Sequence, residues 1–281
     1  MGGEDMATNV TINGLVIKVG DYAENDRILT VLTEDRGRLT VIAKGARSVR
    51  YKNLGAIRLF SYSAFVLYEK GGFYWLKEAA LNTYFDSIFE DIESISLCSY
   101  LAELAYELTG ENESGLEALR LLLNTFYAIS ERKKSHGLLK AAFELRIMAY
   151  SGYMPSLDEC SRCERENSGY YYFDVMNGEV ICDSCFNRNS AVPFSKNRIV
   201  DELDALGKRA TYVPISYAVL NAIRYVTAAE LKRLFAFRLD SDEELYSFGR
   251  LAEIYTLWHL GHGFETLDFY KKIVKDATLT L

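Results

Sequence analysis

Two groups of residues in this 281-residue chain have the types and spacing to do chemistry. The first is Cys160-Ser-Arg-Cys163, followed after residues 164–181 by Cys182-Asp-Ser-Cys185. A two-residue gap lets both thiolates of a Cys-x-x-Cys knuckle face one ion, and two knuckles supply the four ligands that tetrahedral zinc takes. With every position filled by protein, no water is left to activate, so the expected zinc, one per chain, is structural. Four reduced thiols or a pair of disulfides are the other states open to these residues. The second group is a run of cations, Arg36, Arg38, Lys44, Arg47, Arg50, Lys52 and Arg58, with no Asp or Glu between Arg36 and Arg58. Tyr51 lies among them. Cations track phosphates and aromatic rings stack on bases, which together suit sequence-tolerant binding of single strands. Arg36, Arg38, Lys44, Arg47, Arg50, Tyr51 and Lys52 are therefore the candidate nucleic-acid contacts, against the plainer reading of a solvated loop.

The remaining polar residues offer little catalytic material. His259 and His262 stand three apart without a suitably spaced carboxylate, and His136 stands alone. Helix-end or packing roles fit them better than metal ligation. Asp240, Asp242, Glu243 and Glu244 cluster where a helix N-terminus favours acid. There is no glycine-rich phosphate loop and no Gly-x-Ser-x-Gly. Most of the 20 tyrosines are expected in packing, with Tyr22 and Tyr51 the ones in loop or basic settings.

The elements that must position these groups change character along the chain. Residues from about 8 to 84 carry strand patterns at 10–19, 27–33, 38–44, 60–68 and 73–84. On the third, Leu39, Val41 and Ala43 alternate with Arg38, Thr40, Ile42 and Lys44. Asp35-Arg36-Gly37 and Lys70-Gly71-Gly72 read as turns. Five strands with a long third-to-fourth connection predict a small closed barrel of OB-fold type, and periodicity leaves an SH3-like barrel open. From about residue 86 the period becomes helical. Ile88, Ile92, Ile95, Cys98, Ala102, Ala105 and Leu108 form one stripe, which makes Cys98 a core thiol. Further helices are expected at 116–129, 138–150, 199–206 and 215–237. A capping box, Ser241-x-x-Glu244, opens another that runs to about Leu260, and a short last helix covers 266–275. Around the cysteines, the segments 170–173 and 179–181 flank Asn177-Gly178, which reads as a hairpin turn. The fold class is α+β and multidomain: an OB-fold-like barrel at 1–84, then an all-α domain at 85–281 with the four-cysteine zinc module inserted at about 155–192.

Composition bounds the setting. Apolar content of 49% with charged content of 25% and only 3 prolines is that of a globular protein without long disordered linkers. Five cysteines, four of them in knuckles, fit a reducing compartment. Residues 1–10 show no signal-peptide pattern, no apolar run reaches the length of a membrane span, and no internal repeat stands out. The expected location is cytoplasmic. A net charge of −7 argues against nucleic acid only until its distribution is read, because the acid lies outside residues 36–58. The parts read as binding rather than catalysis. The rival classes are a zinc-containing protein–protein adaptor with incidental DNA binding and a metal-dependent nuclease.

Specific segments also resemble one family. Lys44-Gly45-Ala46-Arg47 after a strand is similar to the Lys-Gly-Ala-Arg signature of the RecO family of recombination mediators, and Arg50 fits the basic run after it. Leu76-Lys77-Glu78-Ala79 resembles that family's fifth-strand end. Gly152-Tyr153-Met154-Pro155 resembles its lead-in to the cysteine knuckles, and Trp258-His259-Leu260-Gly261 its C-terminal motif. The resemblance covers nearly the whole chain in the right order. Departures are Leu59-Phe60-Ser61, which lacks the usual proline, and Glu265-Thr266-Leu267, where Lys-Ser-Arg is usual. The resemblance implies a non-enzymatic protein, nucleoid-associated, that binds single- and double-stranded DNA and anneals complementary strands. Its implied partners are a RecR-like protein, the tail of the single-stranded-DNA-binding protein and, indirectly, the RecA recombinase, with no membrane role. A structural metal is likewise implied.

Overall fold

The computed structural model describes residues 9–166, 169–189 and 212–279. Two compact units divide the chain, Met1–Arg132 with Phe264–Leu281, and Lys133–Gly263.

The first unit contains a closed barrel of five strands: β1 (Asn9–Tyr22), β2 (Asp26–Thr33), β3 (Gly37–Ala43), β4 (Tyr62–Lys70) and β5 (Phe73–Thr83). Their order around the barrel is β1-β2-β3-β5-β4, closed by β1 pairing with β4 and by a short parallel contact of β3 with β5. This is the OB-like arrangement expected from the strand count and the long third connection. The period-2 alternation works as read: Leu39, Val41 and Ala43 join Val16, Leu29, Val31, Phe65, Leu67 and Leu76 in the barrel core. One long strand serves both edges because it bends. Gly14 pairs with Thr33 on β2 and Ser63 on β4, and a Cβ there would lie 2.4 Å from the Val31 side chain. A close approach of this kind admits only glycine. A bulge between Val16 and Lys18 sharpens the bend.

The same unit holds helices α1 (Ile92–Leu108) and α2 (Leu116–Ser130) and a C-terminal helix, α7 (Glu265–Leu279), which packs on α1. The apolar stripe at Ile88 begins one element earlier than a continuous helix would. Residues Asp86–Glu90 form a 3-10 turn, and Asp91 then caps α1 by accepting from the N–H groups of Glu93 and Ser94. Cys98 is fully buried on α1, and burial holds its thiol well above the ordinary range, as befits a core residue. The last helix is longer than the 266–275 expected from pattern.

The second unit packs α3 (His136–Tyr150) against α5 (Tyr217–Ala228) and α6 (Asp242–Leu260). Nearly every residue of α3 from Leu138 to Met148 is buried, which explains its all-round apolar pattern. Its buried charges have partners: Lys140 lies 2.8 Å from both Glu144 and Glu253, and Arg146 donates to the Val226 and Ala229 carbonyls. Ser241 caps α6 by accepting from Glu244 N–H at 3.2 Å. The returning bond of the capping box goes to Asp240 N–H rather than to Ser241. Gly261 ends α6 in the left-handed conformation.

One expectation changes here. The segment expected as one helix from 215 to 237 is a strand, β8 (Tyr212–Ile215), then α5, then a 3-10 turn at Leu231–Arg233. Tyr212-Val213-Pro214-Ile215 is too short to register as a period. Its strand state comes from pairing with β6 (Tyr171–Asp174) across a distance in sequence, with Pro214 facing Tyr172. The helix expected at 199–206 lies outside the described residues. No helix among the described residues is long and apolar enough to cross a membrane.

Candidate nucleic-acid interface and metal centre

The connection between β3 and β4 leaves the barrel at Lys44 and returns at Tyr62. It is anchored by its backbone. Gly45 takes φ +71°, a conformation that L side chains rarely adopt. This turns its N–H onto Asp26 Oδ1 at 2.8 Å, while Arg47 N–H donates to Asn25 O at 3.1 Å. Ala46 and Ile57 then plug the barrel core from within the connection. The Lys-Gly-Ala-Arg segment thus has a physical account. Gly makes the turn, Ala sits fully buried in the barrel core, and the two flanking cations are left exposed.

Lys44, Arg47, Arg50 and Lys52 are all exposed on this loop. Arg47 reaches Asp21 at 3.6 Å and Lys52 reaches Glu78 at 3.4 Å, both solvent-accessible pairs. Such pairs are weak and yield readily to a phosphate. The other candidates lie elsewhere. Arg36 donates to the Tyr74 hydroxyl at 2.9 Å. Arg38 lies over the Tyr106 ring of α1, 4.0 Å from its centroid, with its Nε buried. Tyr51 is half-buried against the barrel core rather than offered to solvent. The structure therefore brings together Lys44, Arg47, Arg50 and Lys52, and sets Arg36, Arg38 and Tyr51 in other contacts. Alternation could not foresee this for Arg38, because what covers the outer face of β3 is a helix distant in sequence.

Two aromatic residues were not singled out by sequence. Phe73, 50% exposed, opens β5 beside the Lys70-Gly71-Gly72 turn. Trp75, two residues on, pairs across to Ile42 and donates its ring N–H to Lys70 O at 3.3 Å. Alternation from the buried Leu76 places Trp75 and Lys77 on the outer face, and this much was available from the pattern.

In the second unit, β6 (Tyr171–Asp174) and β7 (Glu179–Cys182) form the expected hairpin, closed by Val175–Gly178. The turn is longer than Asn177-Gly178 alone. Asp174 holds it by accepting from the N–H groups of Met176 and Asn177. β7 ends on Cys182, and α4 (Asp183–Asn189) carries Cys185 in its first turn. The first knuckle is tied to the hairpin by Ser161 N–H to Val180 O at 2.9 Å. Cys182 N–H donates to Cys160 Sγ at 3.3 Å. Arg224 of α5 secures the lead-in, giving 2.8 Å bonds to Leu157 O and Asp158 O and an ion pair with Glu166 at 2.9 Å.

All four sulfurs lie within 4.8 Å of one another, and Cys163 and Cys182 are 3.9 Å apart. A tetrahedron of sulfurs at the usual zinc–sulfur length has edges of about 3.8 Å, so the cluster has the size of such a site. It lacks disulfides: all four cysteines are free. Burial works against the Cys160 thiolate, but N–H groups of Cys182, Arg162 and Cys163 outweigh it and bring the thiol to about 6. Cys185 is pushed up to about 12, chiefly by its bonds to the Cys163 and Cys182 sulfurs. Four thiolates this close repel one another, and a bound cation resolves that repulsion. The quartet can hold a metal ion.

Residues 6–85 match the family model described as Recombination protein O N terminal, and residues 89–199 the one described as Recombination protein O C terminal. Among curated relatives, the DNA repair protein RecO of Acetivibrio thermocellus is 24% identical over 93% of this chain and 96% of its own. That of Clostridium acetobutylicum is 33% identical over 61% of this chain and 70% of its own. That of Alkaliphilus metalliredigens is 27% identical over 94% of this chain and 99% of its own.

Proposed function

The chain belongs to the RecO family of DNA repair proteins, and from that premise we propose that it binds and anneals DNA strands without catalysing a covalent step. The observation that carries this reading is the cluster of exposed cations on one backbone-anchored loop: Lys44, Arg47, Arg50 and Lys52. Two strands approach only if their phosphate charge is lowered, and cations that accept phosphates do this by releasing counterions. Phe73 and Trp75 add aromatic surface near the same end of β5, where unpaired bases can stack. In this reading residues 1–84 are the nucleic-acid-binding barrel, and residues 85–281 carry contacts to a RecR-like partner and to the tail of the single-stranded-DNA-binding protein. Recombinase loading follows from those contacts, in the cytoplasm and on the nucleoid.

The metal is proposed to be one zinc held by Cys160, Cys163, Cys182 and Cys185. A filled thiolate set supplies no open position, so its role is to pin the hairpin β6–β7 to the first knuckle. The test of the whole reading is a strand-annealing assay on complementary oligonucleotides, bare and coated with single-stranded-DNA-binding protein. Faster annealing of both is expected. Absence of measurable DNA binding at about 0.15 M salt, where such contacts still register, would instead favour an adaptor.

A further inference from the structure

Beside the basic loop, the first unit contains a cavity of about 500 Å³ that no motif pointed to. Its wall includes Gly20, Asp21, Arg27, Arg58, Tyr84 and Phe89. Arg58 is the last cation of the acid-free run and was not among the candidate contacts. Its guanidinium carbon lies over the Tyr84 ring, 4.1 Å from the centroid. Tyr84 stacks on Phe89 with centroids 5.4 Å apart and planes 15° from parallel. Phe89 packs in turn on the fully buried Phe60, which packs edge-on against Phe126. The cation is thus the surface end of an aromatic column rooted in the core. A guanidinium has five N–H donors, so one resting on a ring can still offer some of them to phosphate oxygens.

Arg27 enters the same cavity from β2. Asp21 sits opposite it across the β1–β2 pairing, but the Asp21 carboxylate is ion-paired with Arg47. Asp86 is the other acid near Tyr84, whose hydroxyl is raised chiefly by burial, opposed by the Arg58 charge, with that carboxylate a weaker raising influence. The arginines still outnumber the acids. Continuity identifies the occupant. Arg47, on the basic loop, touches Asp21 of the cavity wall, and its backbone and guanidinium bond Asn25 O and Ala23 O of the β1–β2 turn. Arg47 thus meets the cavity wall at Asp21, and Arg27 and Arg58 line that same wall.

We infer that this cavity takes one nucleotide of the bound DNA strand, its phosphate held by Arg27 and Arg58. Its base or sugar rests on the exposed side of Phe89, which is 36% accessible. The inference rests on the DNA-binding reading above and extends it away from the loop.

The test uses the full chain and a labelled single-stranded oligonucleotide, with affinity measured across a salt series. Four proteins are compared: the parent, Arg27→Gln with Arg58→Gln, Arg27→Lys with Arg58→Lys, and Arg47→Gln with Arg50→Gln and Lys52→Gln. Each arginine that leaves a phosphate should lower the slope of log affinity against log salt by about 0.7. Arg27→Lys with Arg58→Lys should restore most of the slope, which separates lost charge from lost folding. An oligonucleotide carrying 5-iodouracil should crosslink to the segment containing Tyr84 and Phe89. An unchanged slope in the Arg27/Arg58 variant overturns the cavity assignment, as do crosslinks confined to residues 44–52. If the loop variant alone loses slope, the DNA-binding reading stands and the cavity falls. If neither loses slope, both fall.

Discussion

Replacing Arg47, Arg50 and Lys52 together with glutamine isolates the charge of the loop from its architecture. The loop is held by backbone donors, Gly45 N–H on Asp26 and Arg47 N–H on Asn25 O, and by the buried Ala46 and Ile57. None of these involves the three side chains, so the barrel should melt as the parent does, within the roughly 0.5 kcal/mol usual for surface changes. Three phosphate contacts at about 0.7 each reduce the salt slope by up to about 2. Between about 0.05 M and 0.2 M salt, that difference makes the parent's affinity fall about 16-fold more steeply than the variant's. The partners give an internal control. Asp21 and Glu78 compete with phosphate for Arg47 and Lys52, at 3.6 Å and 3.4 Å. Asp21→Asn with Glu78→Gln should therefore raise affinity at low salt. Fluorescence anisotropy on a single-stranded oligonucleotide reads both. A triple variant with the parent's salt slope would refute the assignment of the loop, whatever its absolute affinity.

Elemental analysis should find one zinc per chain, and Cys182→Ser with Cys185→Ser should abolish it; zinc retained by that variant would contradict the ligand set. Removing the metal by chelation should lower the melting temperature, since apparent zinc binding in small folds reaches roughly 10–16 kcal/mol. Lys140 bridges Glu144 and Glu253, and its side chain is 7% exposed; Lys140→Met leaves Glu144 charged in the core. Urea unfolding should show a loss of about 3–5 kcal/mol, with much of it regained when Glu144→Met is added. His259 lies between the Tyr153 and Tyr255 rings, and burial lowers its pKa from the ordinary 6.5. The folded state then disfavours the proton that the unfolded chain accepts, so stability should fall as pH drops through about 6.5 and below. His259→Phe should flatten that part of a melting-temperature profile taken against pH.

Much of the molecule was legible from local pattern. Period-2 alternation in residues 38–44 placed Leu39, Val41 and Ala43 in the barrel core, because a strand offers one face to each side whatever lies beyond it. The two Cys-x-x-Cys knuckles announced a four-sulfur cluster, because their spacing is itself the geometric requirement. The acid-free cation run announced a basic surface. Which cations share that surface depended on what the chain brings up from far away. Arg38 is turned onto Tyr106 of a helix, and Arg36 onto Tyr74 of a later strand. Arg58 is laid on Tyr84, and Tyr51 is packed half-buried against the core. β8 is a strand only because β6 offers it an edge, and Arg224 reaches the lead-in to the first knuckle, at Leu157, from 67 residues downstream. Residue type and spacing determine what a short segment can do with water and with its own backbone. Its neighbours across the fold, chosen by burial and by the satisfaction of distant hydrogen-bonding groups, decide which of those possibilities it takes.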